Sequence, residues 1–228
     1  MLRKSNVFYP SELAVSKNYL YKQYRVEYKR AILSLLEKQP NAQLLDLGCK
    51  DGVFTKELML EVGIDKAWGL DMLPFHQEGV LEILGDLNLP LPINNSLMDI
   101  VCASQIIEHI SNTDRFLREI HRVLKPNGYL IVSTNNLASW HNIFYLMLGL
   151  QPPTCMVSDE MDLIKSDGPG HRRIFTFSAL SRLIEFHGFK IEKTVGTSYY
   201  PLPTCLARLM CKLDRGHSVC INIKARKV

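Results

Sequence analysis

The sequence predicts an α/β fold whose central sheet is mostly parallel and doubly wound, with helices packed on both faces. Short apolar runs alternate with longer segments of helical periodicity, which is the order typical of a parallel sheet. One run, residues 44–47, is followed by two closely spaced glycines and a helix start, as in the first unit of a nucleotide-binding sheet. A last alternating run, residues 218–225, predicts the final strand, which we expect to be antiparallel.

These patterns place seven strands and the main helices. The predicted strands cover residues 43–47, 67–70, 80–84, 98–104, 129–134, 190–195 and 218–225. Helices are predicted over residues 16–38, from residue 53 onward, over 112–124 and over 177–187. The fourth strand is almost wholly apolar, as expected for a strand that is buried on both faces. A proline and a glycine end the third helix, and Gly188 ends the fourth.

Size and composition indicate an ordinary globular protein. A chain of 228 residues with 46% hydrophobic and 22% charged residues is long enough to bury one sizeable core. The net charge of +4 permits anionic partners without calling for nucleic acid. Six cysteines lack a C-x-x-C pair and residues 1–10 lack a secretory pattern, so we expect a reducing, cytoplasmic location. We expect no transmembrane helix, because no apolar run reaches about 18 residues.

The glycine-rich turn after the first strand is the clearest local signal for a bound ligand, and it indicates a Rossmann-like sheet. Gly48 and Gly52 flank Lys50, which stands where a dinucleotide fold has a glycine that admits a pyrophosphate. Asp46, at the strand end, would place a negative charge close to the ligand. That charge suits a ligand with a cationic amino acid end better than a diphosphate. Free N–H groups of the following helix would face the ligand.

Three segments carry a family signature: D-L-G-C-K-D-G at residues 46–52, D-I-V-C-A-S-Q-I-I-E-H-I at residues 99–110, and E-I-H-R-V-L-K-P-N-G-Y-L-I-V-S-T at residues 119–134. Together with Asp71 and Asp86 they resemble the motifs of class I S-adenosylmethionine-dependent methyltransferases. The resemblance implies one methyltransferase domain over residues 1–228. Residues 1–41 would be an N-terminal helical segment, 42–134 the cofactor-binding half, and 135–228 a substrate or lid segment with the last strands.

The resemblance also implies which residues bind S-adenosylmethionine. They are Asp46, Gly48, Cys49, Gly52, Asp71, Met72, Asp86, Leu87, Ser104 and Gln105. Asp71 would accept hydrogen bonds from both ribose hydroxyls, because an ionised carboxylate offers paired acceptors. Its alternative role is an Asx turn before Pro74. Asp86 would receive the adenine amino group, with Leu87 giving apolar or backbone contact, or would be a turn residue after Gly85.

Methyl transfer needs chiefly correct positioning of the acceptor, together with a base where the acceptor atom carries a proton. His109 follows the fourth strand at the sheet edge where α/β sites lie, and His171 stands in an irregular loop. We predict these two as the catalytic histidines. The alternatives are a histidine that packs or caps a helix start at position 109 and a solvated loop residue at position 171.

A metal site is the rival interpretation of the same histidines. Glu108, His109 and His171 resemble the metal set of methyltransferases that act on the terminal ribose of small RNAs. Those enzymes have an acidic residue three positions before the glutamate, where this chain has Gln105. A neutral amide is a poorer ligand for a hard cation than a carboxylate. The sequence therefore predicts no metal, and EDTA should leave activity unchanged.

The acceptor is less well determined than the methyl donor. We predict O-methylation of a small molecule: a glycan, a lipid-linked sugar or a quinone precursor. Residues 137–150 are apolar and aromatic, and would form packing, a lid, or a wall for such an acceptor with peripheral lipid contact. Nucleic acid is not expected, and the oligomeric state is open. The alternatives are an RNA ribose methyltransferase and a non-catalytic S-adenosylmethionine-binding partner or regulator.

Overall fold

The structure is a computed structural model that describes residues 14–152, 154–155 and 171–228, without side-chain detail for residues 14–23. The strands are β1 Leu44–Leu47, β2 Ala67–Asp71, β3 Val80–Leu84, β4 Met98–Ser104, β5 Leu124–Asn135, β6 Phe189–Thr197 and β7 Cys220–Lys227. The helices are α1 Ala14–Leu33, α2 Val53–Val62, α3 Thr113–Val123, α4 Trp140–Met147, α5 Phe177–Phe186 and α6 Thr204–Leu213. Two 3₁₀ turns cover Ile107–His109 and Arg215–His217.

The described strands form one seven-stranded sheet in the order β3-β2-β1-β4-β5-β7-β6. The first five strands pair in parallel, and β7 lies antiparallel between β5 and β6. This confirms the predicted fold class, including the antiparallel last strand. The strand order reverses between β1 and β4, which are hydrogen-bonded neighbours. In open α/β sheets the carboxyl edge at such a reversal is where ligands bind.

Burial of both sheet faces explains why β1 and β4 are nearly all apolar. Leu44 and Ile100 belong to one hydrophobic cluster, whereas their chain neighbours Leu45 and Val101 belong to the other. Successive side chains of a strand point to opposite faces, so consecutive apolar residues serve two cores. Residues of α1 and α2 complete the first cluster, and residues of α3 and α5 complete the second. The two layers of helices hold the carboxyl edge of the sheet in place.

Some element bounds differ from the sequence prediction. α1 ends at Leu33, before the predicted residue 38, and the chain then turns so that Leu35 is buried. No element was predicted for the segment that forms α6. Its apolar residues Leu206, Leu209 and Leu213 are exposed by 49%, 53% and 73%, so burial does not account for its apolar stripe. Within the described residues, no helix has the length and apolar character needed to cross a bilayer.

Candidate active site

The turn that follows β1 has the shape expected of a ligand-binding loop. Gly48, Lys50 and Gly52 have φ angles of 73°, 53° and 73°, all in the left-handed region that favours glycine. A Cβ atom at position 48 would also lie 2.7 Å from the Ile106 side chain. Both the positive φ angle and this close contact therefore favour glycine at position 48. Lys50 therefore adopts the left-handed backbone conformation that a glycine would adopt at this position in the motif, at some cost in backbone strain. The turn delivers the chain to Val53, the first residue of α2.

Asp71 connects this turn to the end of β2. Its Oδ2 accepts a hydrogen bond from the Lys50 backbone N–H at 2.8 Å. Its Oδ1 accepts from the Leu73 backbone N–H at 3.2 Å, which is the Asx turn given as its alternative role. An ionised carboxylate has about four lone-pair sites, so two such bonds leave acceptor capacity for hydroxyl groups. The structural role and the proposed ribose role are therefore compatible.

Asp46 lies under the turn and not on its surface. It is 2% exposed, and its Oδ2 accepts from the Thr55 hydroxyl of α2 at 2.6 Å. Burial raises the pKa of Asp46 to about 7, although the Thr55 bond acts in the opposite direction. This carboxyl group is thus held close to its titration point. A ligand cation placed beside it would favour the ionised form.

The remaining predicted cofactor residues differ in how accessible they are. Cys49 is buried, and burial raises the pKa of its thiol, so it is not a reactive nucleophile. Met72 is 69% exposed directly after β2. Asp86 Oδ1 accepts from the backbone and side-chain nitrogens of Asn88 at 2.8 and 3.0 Å, which is the alternative turn role. Leu87 is buried in the core, which leaves its backbone for ligand contact.

Ser104 is the last residue of β4, and Gln105, which follows it, is held by a network of hydrogen bonds. Its φ angle is 54°, and its Nε2 donates to the Ser133 hydroxyl at 2.8 Å. The Tyr24 hydroxyl of α1 lies 2.9 Å from Gln105 Oε1 and 2.9 Å from Asn135 Oδ1. Gln105 therefore ties α1 to the carboxyl ends of β4 and β5.

His109 and His171 come together although they are far apart in the chain. Their ring centroids are 5.1 Å apart, in an edge-on arrangement. One donor atom from each of Glu108, His109 and His171 lies within 4.8 Å of the others. His171 Nδ1 is 3.0 Å from the Thr154 carbonyl oxygen. The two predicted catalytic histidines thus share one site at the end of β4.

Glu108 is the buried member of this site. It is 1% exposed, its Oε2 accepts from the Thr134 hydroxyl at 2.9 Å, and burial raises its pKa to about 7. Its backbone oxygen accepts from the N–H groups of Arg172 and Arg173 at 2.8 and 3.1 Å. These two bonds fix the segment that begins at His171 against the 3₁₀ turn. The histidine contact is therefore held by the main chain.

A family model described as a methyltransferase domain matches residues 20–194, which is more than half of the 228 residues. The chain belongs to the methyltransferase domain family. Relatives described as S-adenosylmethionine-dependent methyltransferases support its place in the class I group of that family. This agrees with the resemblance in the three sequence segments.

Relatives of this methyltransferase match at modest identity. A Mycolicibacterium smegmatis protein described as a probable S-adenosylmethionine-dependent methyltransferase is 27% identical over 191 residues, covering 79% of this chain and 63% of the relative. The mitochondrial ubiquinone biosynthesis O-methyltransferase of Rattus norvegicus is 25% identical, covering 70% and 47%. The demethylmenaquinone methyltransferase of Corynebacterium kroppenstedtii is 30% identical, covering 72% and 74%. The chain thus spans 63% and 47% of the first two relatives' lengths.

Solved structures share the fold. The S-adenosylmethionine-dependent methyltransferase from Mesorhizobium loti has a TM-score of 0.63 and 17% identity, and the match covers 87% of this chain and 96% of that protein. At this identity the likeness shows the fold alone. It agrees with the mostly parallel sheet and the antiparallel β7.

Several residues of the methyltransferase site did not figure among the sequence predictions. Tyr24, Thr134 and Thr154 contact predicted site residues, and Asn135 contacts Tyr24. Of these four residues, only Thr134 lies in a family segment, as the last residue of 119–134. Tyr24 is 81 residues from Gln105, so no local pattern links them. Thr134 and Asn135 are the last residues of β5, and polar residues at a strand's carboxyl end were an available signal.

Proposed function

We propose that this methyltransferase transfers the methyl group of S-adenosylmethionine to an oxygen atom of a small molecule. The observation that carries the proposal is the cluster of Glu108, His109 and His171 at the end of β4, the strand beside β1 and its glycine turn. An oxygen acceptor with a proton needs a group that assists loss of that proton. Imidazole is the side chain best suited to this near neutral pH.

In this proposal the cofactor lies across the carboxyl ends of β1, β2 and β4. The turn at residues 46–52, with buried Asp46 beneath it, holds the methionyl end, and Asp71 accepts hydrogen bonds from the ribose hydroxyls. Met72 flanks the ribose, and Asp86 with the Leu87 backbone meets the adenine. Ser104 and Gln105 lie toward the sulfonium. The left-handed turn and the spare acceptor capacity of Asp71 support this arrangement.

The chemical step is an in-line displacement. The acceptor hydroxyl loses its proton to His109 or His171, and the oxygen lone pair forms a bond to the methyl carbon. The carbon–sulfur bond breaks with its electrons left on sulfur, which turns the sulfonium into a neutral thioether. Since the sulfonium is already activated, the protein contributes mainly positioning and proton removal.

The helix α4 supports an apolar molecule as the methyl acceptor. It begins at Trp140, five residues after the carboxyl end of β5. Trp140, Phe144 and Met147 are 48%, 58% and 79% exposed on this helix. Large exposed apolar groups mark binding surfaces more often than chance. One relative is named as a ubiquinone biosynthesis O-methyltransferase and another as a demethylmenaquinone methyltransferase. These names favour a quinone precursor over a glycan, with peripheral lipid contact at α4.

The test is an assay of the purified chain with S-adenosylmethionine and a panel of phenolic quinone precursors and glycans. We expect formation of the demethylated cofactor and an O-methyl product, identified by mass spectrometry. His109→Ala and His171→Ala should each lower kcat by about 100-fold or more, with cofactor binding retained. The exposed His76→Ala is the matched control. Cofactor binding without turnover of any acceptor would instead favour the non-catalytic alternative.

A further inference from the structure

The cluster of Glu108, His109 and His171 has the features of a metal-ligating site. One donor atom from each residue lies within 4.8 Å of the other two, a spacing that a single ion can bridge. The ligands come from two separate chain segments. These segments are fixed to each other by the backbone bonds from Arg172 and Arg173 to the Glu108 carbonyl oxygen. The site is therefore assembled by main-chain contacts.

The Glu108 carboxylate supplies an independent observation. Its Oε2 accepts from Thr134, but its Oε1 is buried and has no hydrogen-bond partner among the described residues. Buried polar atoms without a partner are rare in folded proteins, and each one requires an explanation. An ion bound at Oε1 would satisfy it. Thr134 would then hold the second oxygen in place, which is the usual support for a ligating carboxylate.

His171 is oriented as a ligand. Its Nδ1 lies 3.0 Å from the Thr154 carbonyl oxygen, and a carbonyl oxygen can only accept. The Nδ1 atom must therefore carry the proton, so the neutral ring presents the lone pair of Nε2. Metal-bound histidines commonly donate their other ring N–H to a carbonyl oxygen in this way. The edge-on His109 ring is 5.1 Å away, so both imidazoles converge on one space.

The donor types decide which cation fits. Two imidazole nitrogens and one carboxylate suit zinc or manganese, whereas Mg²⁺ prefers oxygen ligands and keeps several waters. The Gln105 side chain is already hydrogen-bonded to other residues: its Oε1 accepts from the Tyr24 hydroxyl, and its Nε2 donates to the Ser133 hydroxyl. The neutral amide of Gln105 was the argument against a metal in the sequence. That argument concerns a hard cation that would need Gln105 as a ligand, and it does not apply to a site formed by Glu108, His109 and His171.

We propose that Glu108, His109 and His171 bind one divalent transition-metal cation of the zinc or manganese class and leave coordination positions open for the acceptor oxygen. The catalytic part rests on the proposed function. The cation would bind the acceptor hydroxyl and lower its pKa, and the proton would pass to solvent water. The oxygen lone pair then bonds to the methyl carbon as the carbon–sulfur bond breaks. With the cation bound, the two imidazoles would be its ligands, so this route replaces the histidine base of the proposed function and leaves the methyl transfer itself unchanged.

The test begins with full-length protein stripped by EDTA and dialysed. Titration with Co²⁺, followed by visible absorption, and with Zn²⁺, followed by calorimetry, should give one equivalent per chain, and excess Mg²⁺ should not compete. Glu108→Gln, His109→Ala and His171→Ala should each weaken binding by at least about tenfold, while the exposed His76→Ala should not. Circular dichroism identifies any variant that fails to fold. The cation affinities of the variants that do fold then test the proposed site.

The proposal is overturned if stripped protein binds neither Co²⁺ nor Zn²⁺ stoichiometrically, or if all three folded variants bind as the wild type does. A parallel titration of stripped protein with S-adenosylhomocysteine keeps the two proposals separate. Cofactor binding without cation binding refutes this inference and leaves the methyltransferase proposal standing. Cation binding without cofactor binding refutes the methyltransferase proposal and leaves the proposed cation site standing. Activity should also fall after EDTA treatment and return with Zn²⁺ or Mn²⁺, contrary to the expectation from the sequence.

Discussion

At the scale of single residues, polar groups in the site hold the loops as well as facing the ligand. Asp71 accepts backbone hydrogen bonds from Lys50 in one loop and from Leu73 in the next. A carboxylate bonded in this way is fixed before the ligand arrives, so less side-chain entropy is lost on binding. Asp71 is therefore both a structural residue and the proposed ribose ligand.

We expect Asp71→Ala to weaken S-adenosylhomocysteine binding by about 100-fold, because two hydrogen bonds to a charged acceptor are lost. Isothermal titration calorimetry measures the effect. Asp71→Asn keeps one acceptor oxygen and should lie between alanine and the wild type. The exposed Asp65→Ala is the control for loss of negative charge. Unchanged affinity in a folded Asp71→Ala protein would contradict the ribose assignment.

Residue roles were predictable from the sequence only where the partner is close in the chain. The Asx turn of Asp71 and the turn at Asp86 involve neighbours two residues away, and both were anticipated as alternatives. Gln105 was expected to face the cofactor, but its bonds reach Tyr24 and Ser133, from other elements. Those bonds depend on which strands are neighbours, and hydrophobic periodicity does not encode that.

At the scale of elements, α1 is fixed to the carboxyl edge of the sheet by the half-buried phenol of Tyr24. The Tyr24 hydroxyl lies within hydrogen-bond distance of Gln105 and Asn135, and burial raises its pKa well above the ordinary value. Farther along α1, Ile32 packs into the core with β1 and α2. The helix is therefore attached both at the site and at the core.

We expect Tyr24→Phe to lower the free energy of unfolding by about 1–2 kcal/mol, because it leaves a half-buried acceptor oxygen of Gln105 or Asn135 without this hydrogen bond. Urea unfolding measures this, and hydrogen exchange should show faster exchange in α1. Arg30→Ala, in an exposed pair with Glu27 on the same helix, should cost about 0.5 kcal/mol or less. Equal stability of Tyr24→Phe and wild type would show that the hydroxyl does not anchor the helix.

At the scale of the whole molecule, the site lies where the winding of the sheet reverses. β1 and β4 are neighbours, although β2 and β3 come between them in the chain. The chain therefore leaves these two strands in opposite directions and opens a crevice at their carboxyl ends. The crevice brings the glycine turn and the cluster of Glu108 and the histidines onto the same edge. In the proposed function, this edge is where the cofactor and the acceptor meet.

Global stability should fall as the pH rises through the neutral range. The folded-state pKa of Asp46 is raised from 3.8 to about 7, so between these values the folded protein binds more protons than the unfolded chain. The slope of the unfolding free energy against pH is proportional to the number of protons bound by the unfolded chain minus the number bound by the folded protein. This difference is negative between the two pKa values, so stability decreases as the pH rises through this window.

Urea unfolding of cofactor-free protein at pH 5, 6, 7 and 8 measures this dependence. Asp46→Asn cannot ionise but can still accept from Thr55. Its profile should therefore be flatter than the wild-type profile by roughly 2–3 kcal/mol across the range. Parallel profiles for the two proteins would contradict a buried, largely protonated carboxyl group.

The sequence by itself determined the fold class, the strand positions, the glycine turn and the methyltransferase family. Each of these depends on local spacing or on a contiguous motif. Only the tertiary structure decided that His171 lies against Glu108 and His109, that Tyr24 contacts Gln105, and that Asp46 is buried. These contacts arise from strand order and loop closure over long chain separations. A pattern along the chain describes what each segment forms, whereas the packing of the sheet determines which segments meet.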